Sequence, residues 1–307
     1  MFLSSFHRYV YQTFVALYCI LETLKTVKGN QIVLFTTESE SLCFYVAKWL
    51  YTRLLKDENS TDKAKTMLKS MRFFTNNSSG KAFEINISRK NRLEKKSSSE
   101  INQDFRRSIV LFVVDEAHDI FTQHGESDFK STVKTLAKEK NDDEGSRLLL
   151  LSDESQASSS VDWSHMEGIQ TEKLVTSCRA TKRLTLASML YQVRQSSDAK
   201  CAHNLVDGPM PKSYIFPKEE ETKKKFYTYA DTIIEALRHM TEEQFTNRVD
   251  LDLRIAIVLP DEKFRDKVLD EGGLKGKLED KGWVTVDDLD AVKSLGKDSQ
   301  NADCNRK

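Results

Sequence analysis

Apolar residues recur along this chain in two alternating periods, and that alternation sets the expected architecture. Residues Tyr11 to Thr26 contain no glycine or proline and read as a helix, with Lys28-Gly29-Asn30 as its stop. Ile32-Val33-Leu34-Phe35 is an apolar run of strand length. Leu42 to Leu55 returns to helical spacing, with Leu42, Tyr45, Val46, Trp49 and Leu50 on one face. Ile109 to Val114 is an unbroken aliphatic and aromatic run, as in strands buried on both faces of a parallel sheet. A second such run, Leu148 to Leu151, follows a helix expected around Phe129 to Glu139. Strands alternating with helices at this spacing predict an α/β fold with a mostly parallel sheet covered by helices.

Between these parts, from Asp57 to Arg107, lysine, serine and asparagine dominate. The stretch reads as a partly ordered polar insertion, with one helix near Ala64 to Phe73 and one strand near Phe83 to Ile87. After Val161 a connecting segment leads to a helix at Arg183 to Gln195. Strands are expected at Tyr214 to Phe216 and Leu253 to Leu259, with a helix from Tyr227 to Met240 between them. The repeated strand–helix–strand order predicts two domains, 1–172 and 173–307. No solenoid period is visible.

Composition changes this picture little. Of 307 residues, 39% are apolar and 31% charged, enough for a sizeable core under a highly charged surface. The 47 basic and 47 acidic residues cancel, so any nucleic-acid surface must come from local clustering. Five scattered cysteines without a C-x-x-C pattern read as reduced thiols of an intracellular protein of cytoplasm or nucleus. Cys201 and His203 alone are too few for a zinc site. Tyr9 to Leu21 has the look of a secretory signal, but Glu22 and Lys25 interrupt it and no small-residue cleavage site follows. It is also too short to span a bilayer, and no membrane partner is expected. A buried helix is expected there instead.

In open α/β sheets, ligands gather at the carboxyl ends of strands, so the residues after the two apolar runs carry the chemistry. These are Asp115-Glu116-Ala117-His118 and Ser152-Asp153-Glu154-Ser155-Gln156. Adjacent carboxylates at a buried strand tip are costly unless compensated, and a hydrated magnesium ion compensates them well. Asp115 would hold the ion through water, and Glu116 would polarise an attacking water. Alternatively, the two acids merely start the next helix, where the dipole favours them. His118, His124 and His165 form no H-E-x-x-H or triad pattern and read as surface or supporting residues. Trp163 reads as a packed tryptophan, and Lys223-Lys224-Lys225 as a solvated helix start.

The order of these motifs resembles superfamily 1 helicases, whose core is two RecA-like domains with ATP in the cleft between them. The resemblance rests on Val113-Val114-Asp115-Glu116-Ala117-His118 and on Asp153-Glu154-Ser155-Gln156. It implies an ATP- and magnesium-dependent enzyme acting on single-stranded nucleic acid. Asp115 and Asp153 would bind the cofactor, with Asp115 on magnesium and Glu116 as base. Gln156 would sense the γ-phosphate, and Arg179, in Cys178-Arg179-Ala180-Thr181, would meet it in the transition state. Thr36 and Thr37, in Thr36-Thr37-Glu38-Ser39, would touch the nucleic acid. Gly282 to Leu295 looks like a fifth motif with Lys293-Ser294-Leu295-Gly296 at its turn. Arg179 and Asp207-Gly208-Pro209 look most similar to the Schlafen helicase-like domain.

The phosphate-gripping turn of such a site needs glycines and a terminal Gly-Lys-Ser/Thr, and no such sequence occurs. Its expected place, Ser4 to Thr13, has no glycine. Gly80-Lys81 reads as a loop. A fragment of a longer helicase-like protein is therefore expected. The rival expectation is a non-catalytic, degenerate NTPase fold that binds nucleic acid or a protein partner.

Overall fold

The computed structural model of the protein describes residues 2–6, 12–90, 92–122, 127–153, 161, 163, 166, 168–174, 183, 207, 214, 222–240, 257–283 and 293. They fall into two compact units, one of residues 1–211 with 292–307 and one of residues 212–291.

The first unit is built on one eight-stranded sheet. Its strands are β1 (Phe2–Phe6), β2 (Ile32–Thr36), β3 (Met71–Phe74), β4 (Lys81–Ile87), β5 (Leu93–Glu100), β6 (Ile109–Val114), β7 (Arg147–Ser152) and β8 (Gln170–Leu174). They lie in the order β5-β4-β3-β2-β6-β7-β1-β8. All pairings from β3 through β8 are parallel, and β4 and β5 extend the edge antiparallel. The parallel strands therefore end at a common edge.

Burial follows from strand alternation. Ile32, Leu34, Phe112, Val114, Leu148 and Leu150 face a cluster completed by Phe129, Val133, Leu136 and Ala137 of α6 (Asp128–Asp142) and by the short α5 (Ala117–Ile120). The alternate residues Val33, Phe35, Leu111, Val113, Leu149 and Leu151 are just as buried. That face is covered by α1 (Gln12–Thr26), which meets β2, β6 and β7, and by α2 (Glu40–Glu58) and α3 (Thr61–Leu68) packed beside it. Two buried faces explain the unbroken apolar runs. In α1, Ala16, Leu17, Ile20, Leu21 and Leu24 are at most 3% exposed, as expected of a core helix. Among the described residues no helix is long and apolar enough to cross a membrane.

The 57–107 stretch is more ordered than its composition suggests. Ser60 accepts the Lys63 N–H and starts α3, which ends at Leu68 rather than running to Phe73. Met71–Phe74 instead pairs in parallel with β2, because both faces of that edge still offer apolar cover. The polar strand β5 is held by backbone pairing to β4, with the Lys95 ammonium 4.2 Å from the Phe83 ring and 3.2 Å from Glu40. A short α4 (Gln103–Ser108), capped by Asn102, leads into β6. Of the pair expected as a loop, Gly80 lies in the turn before β4, while Lys81 is the first residue of that strand.

The second unit's described elements are α7 (Thr222–His239), α8 (Glu262–Leu269) and α9 (Leu274–Asp280). They enclose Phe226, Ala230, Leu237, Val268, Leu274 and Leu278. A Cβ at Gly272 would lie 2.5 Å from the Phe226 carbonyl oxygen, so the turn into α9 admits only glycine. Lys224 and Lys225 are exposed at the start of α7, in keeping with a solvated helix start. The helix expected at Arg183 to Gln195 and the strands at Tyr214 to Phe216 and Leu253 to Leu259 lie largely outside the described residues.

Candidate functional site

The common edge of the parallel strands gathers the motif residues. Asp115 follows β6, Asp153 follows β7, and Thr36 ends β2. The Asp115 N–H donates to the Thr36 carbonyl at 2.8 Å, which extends the β2–β6 pairing by one step and fixes where the carboxylate starts. Its side chain is then turned toward α1. Asp115 Oδ1 accepts the Glu116 N–H at 3.1 Å, and Oδ2 accepts from the Thr13 hydroxyl at 3.5 Å. Thr13 stands in the first turn of α1, the helix that follows β1.

Asp115 is 3% exposed. Burial pushes its carboxyl up to about 6, against the pull of the Glu116 N–H and the Thr13 hydroxyl, which favour the charged form. Glu116 is pushed up to about 7, first by burial and then by the charge of Asp115. Asp119 and Asp153 act in the same sense, and His118 opposes them. Two adjacent carboxyls this reluctant to ionise, Asp115 and Glu116, make an environment a cation would relieve.

Glu116 is not a first-turn helix acid. It caps α5 with φ 53° and ψ 42°, the left-handed conformation that a residue with a side chain adopts at a cost of about 1–2 kcal/mol. The strained turn separates two adjacent carboxylates. Asp115 faces Thr13, while Glu116 Oε2 lies 3.4 Å from His118 Nδ1.

His118 is 2% exposed and holds the two strand tips together. Its Nδ1 accepts the Asp153 N–H at 3.1 Å, and its Nε2 lies 3.7 Å from Asp119 Oδ1. It therefore supports the site from within. Asp153 is itself 4% exposed. Thr36 and Thr37 are buried as well, and the Thr37 hydroxyl accepts the Ser39 N–H at 3.4 Å. In this arrangement their side chains face into the fold. Trp163 packs its ring 5.2 Å from Phe121, within the cluster under α5 and α6. Gln156, Arg179, His124, His165, Cys201 and His203 lie outside the described residues.

The sequence had not pointed to Thr13. Its signal was positional: a hydroxyl one residue into the helix after the first strand, just where a phosphate-binding turn would close. Asp115 and Thr13 together present hard oxygen donors, the chemistry magnesium prefers when it keeps most of its water. Among the described residues, no group of three or more His, Cys, Asp or Glu is gathered to hold a metal. A magnesium ion carrying several waters needs only one or two protein oxygens, so the donor pair fits that ion and not a protein-only cage.

Compared with known proteins, the chain matches no family model and no curated sequence.

Proposed function

We propose that the chain is the core of a superfamily 1 helicase-like protein, RecA-like in its first domain and continuing into a second. Its site for magnesium and attacking water is built, and its phosphate grip is reduced. The observation that carries this is the contact of Thr13 at the start of α1 with Asp115 at the tip of β6. The strand order supports it. β7 lies between β1 and β6, so the carboxyl ends of these three parallel strands, with Asp153 after β7 and Asp115 after β6, line up along one edge.

In this reading Asp115 and Thr13 supply the oxygens that hold a hydrated magnesium ion, which when bound would neutralise phosphate charge. Glu116, turned away by its left-handed backbone, accepts a proton from the attacking water. His118 keeps Asp153 in register with the β6 tip. Gln156 and Arg179 complete the γ-phosphate contacts, and single-stranded nucleic acid reaches the exposed part of the loop that follows Thr36 and Thr37, whose own side chains are buried. ATP is the nucleotide of choice by the family resemblance alone.

A second reading has its own observation. Tyr11-Gln12 stands where Gly-Lys would precede Thr13, and no glycine occurs among residues 6–12. Without glycines the backbone cannot wrap an anion, and without lysine the phosphates lose their counter-charge. On this reading the fold is a non-catalytic module that binds nucleic acid or a protein partner.

Steady-state ATP hydrolysis with and without single-stranded DNA or RNA decides between them. The first reading expects weak, stimulated turnover that Glu116→Gln abolishes. Absent turnover and absent saturable Mg·ATP binding, with nucleic-acid binding retained, would establish the second.

A further inference from the structure

The turn that carries Glu116 is tied to a separate loop by one lysine. Lys130 lies in the first turn of α6 with only 17% of its side chain exposed. Its ammonium donates to the Asp119 carbonyl oxygen at 2.7 Å and pairs with Glu38 Oε1 at 3.5 Å. The Asp119 carbonyl belongs to the carboxyl end of α5, where helical carbonyls have no partner within the helix. It also accepts the Thr122 hydroxyl at 3.0 Å. Because α5 is a single turn, donors from outside hold its end in place. Glu38 is 44% exposed in the loop between β2 and α2, directly after Thr37 and before Ser39, which caps α2. One ammonium thus joins the end of α5 to an exposed carboxylate on a different loop.

We propose that Lys130 is a positioning residue that relays displacement of the loop at residues 37–39 to the turn bearing Glu116, and that the phosphate backbone of a single-stranded nucleic acid is the displacing ligand. The ligand half rests on the function proposed above; the relay itself rests on the geometry alone. Phosphates arriving at this loop repel Glu38 and compete with it for the lysine. The ammonium is then drawn off the Asp119 carbonyl, and α5 loosens.

Hydrogen exchange at the Asp119 and Phe121 amides reads α5 directly, since they donate to the Glu116 and Ala117 carbonyls, each at 2.9 Å. Glu38→Ala is expected to speed their exchange by about threefold or more, the loss of one charge-assisted contact. The same substitution in a Lys130→Met background is expected to change nothing further, and Lys130→Arg to behave as the parent chain. An equal effect of Glu38→Ala in both backgrounds, or none in either, overturns the relay. Should Lys130→Met unfold, Lys130→Gln, which keeps a donor for the carbonyl but no charge for Glu38, carries the same comparison.

A polythymidine single strand, its binding followed by anisotropy, tests the ligand half. Faster α5 exchange in the parent chain but not in Lys130→Met supports it, and equal change in both overturns it. If the strand does not bind, the nucleic-acid assignment falls, while the ligand-free comparison still decides the relay.

Discussion

At the tips of β6 and β7, buried polar groups are mutually oriented. Asp115 is held by two donors, His118 spans to Asp153, and Glu116 keeps a strained backbone. Between β1 and α1, the sequence has Tyr11 and Gln12 where the proposed phosphate site would need glycine and lysine. Thr13, in the first turn of α1, reaches Asp115. On the function proposed above, the difference teaches that two halves of one ligand site can be specified separately. The carboxylate half is part of the packing of β6, β7 and α5, so losing it would leave buried groups unpaired. A phosphate turn supplies little packing, and its glycines and lysine can be lost without harming the fold.

The sharpest way to break this comparison is to remove the charge of Asp115. Its carboxyl is raised from 3.8 in the unfolded chain to about 6 in the fold. A raised carboxyl favours folding below the unfolded value and loses that contribution as pH climbs through the folded one. Asp115→Asn keeps an acceptor for the Glu116 N–H and turns its amide N–H toward the Thr13 hydroxyl, without the charge. Without magnesium it should stabilise the fold by about 2–3 kcal/mol at pH 8 and by almost nothing at pH 4, in thermal denaturation at both pH values. A gain equal at both would show that the carboxylate is not strained by burial. Saturating magnesium should narrow the difference at pH 8.

His118→Ala tests whether the two tips are one unit. It leaves the buried Asp153 N–H without its acceptor and is expected to cost about 2 kcal/mol, measured by denaturant unfolding. A cost near zero would separate β7 from the site. The smallest effect is at Glu116, where Glu116→Gly accepts the left-handed backbone freely. It should stabilise the chain by about 1 kcal/mol even as it removes the proposed base. A loss of stability would mean that the Glu116 side chain pays for its backbone through its neighbours.

Much of the first unit was legible because both sheet faces are covered. Unbroken runs such as Ile109 to Val114 announce themselves in sequence. Strand β5 did not, since Leu93-Glu94-Lys95-Lys96-Ser97-Ser98-Ser99-Glu100 is polar and owes its extension to pairing with β4. Met71 to Phe73 fell within the helix expected at Ala64 to Phe73, and parallel pairing beside β2 overrode that local preference. In the site, Asp115 and Glu116 were marked by position after a buried strand. The left-handed turn at Glu116, the His118 bridge and the Thr13 contact depend on where separate elements meet, which no local pattern encodes.

The central claim is that this chain retains a magnesium and water site whose phosphate grip has been lost. Titration of a fluorescent ATP analogue with magnesium, into the parent chain, Asp115→Asn and Tyr11→Gly/Gln12→Lys, tests it most directly. The account predicts weak binding by the parent, further loss with Asp115→Asn, and a gain of about tenfold or more when glycine and lysine are restored. Binding that is indifferent to all of these substitutions would contradict it.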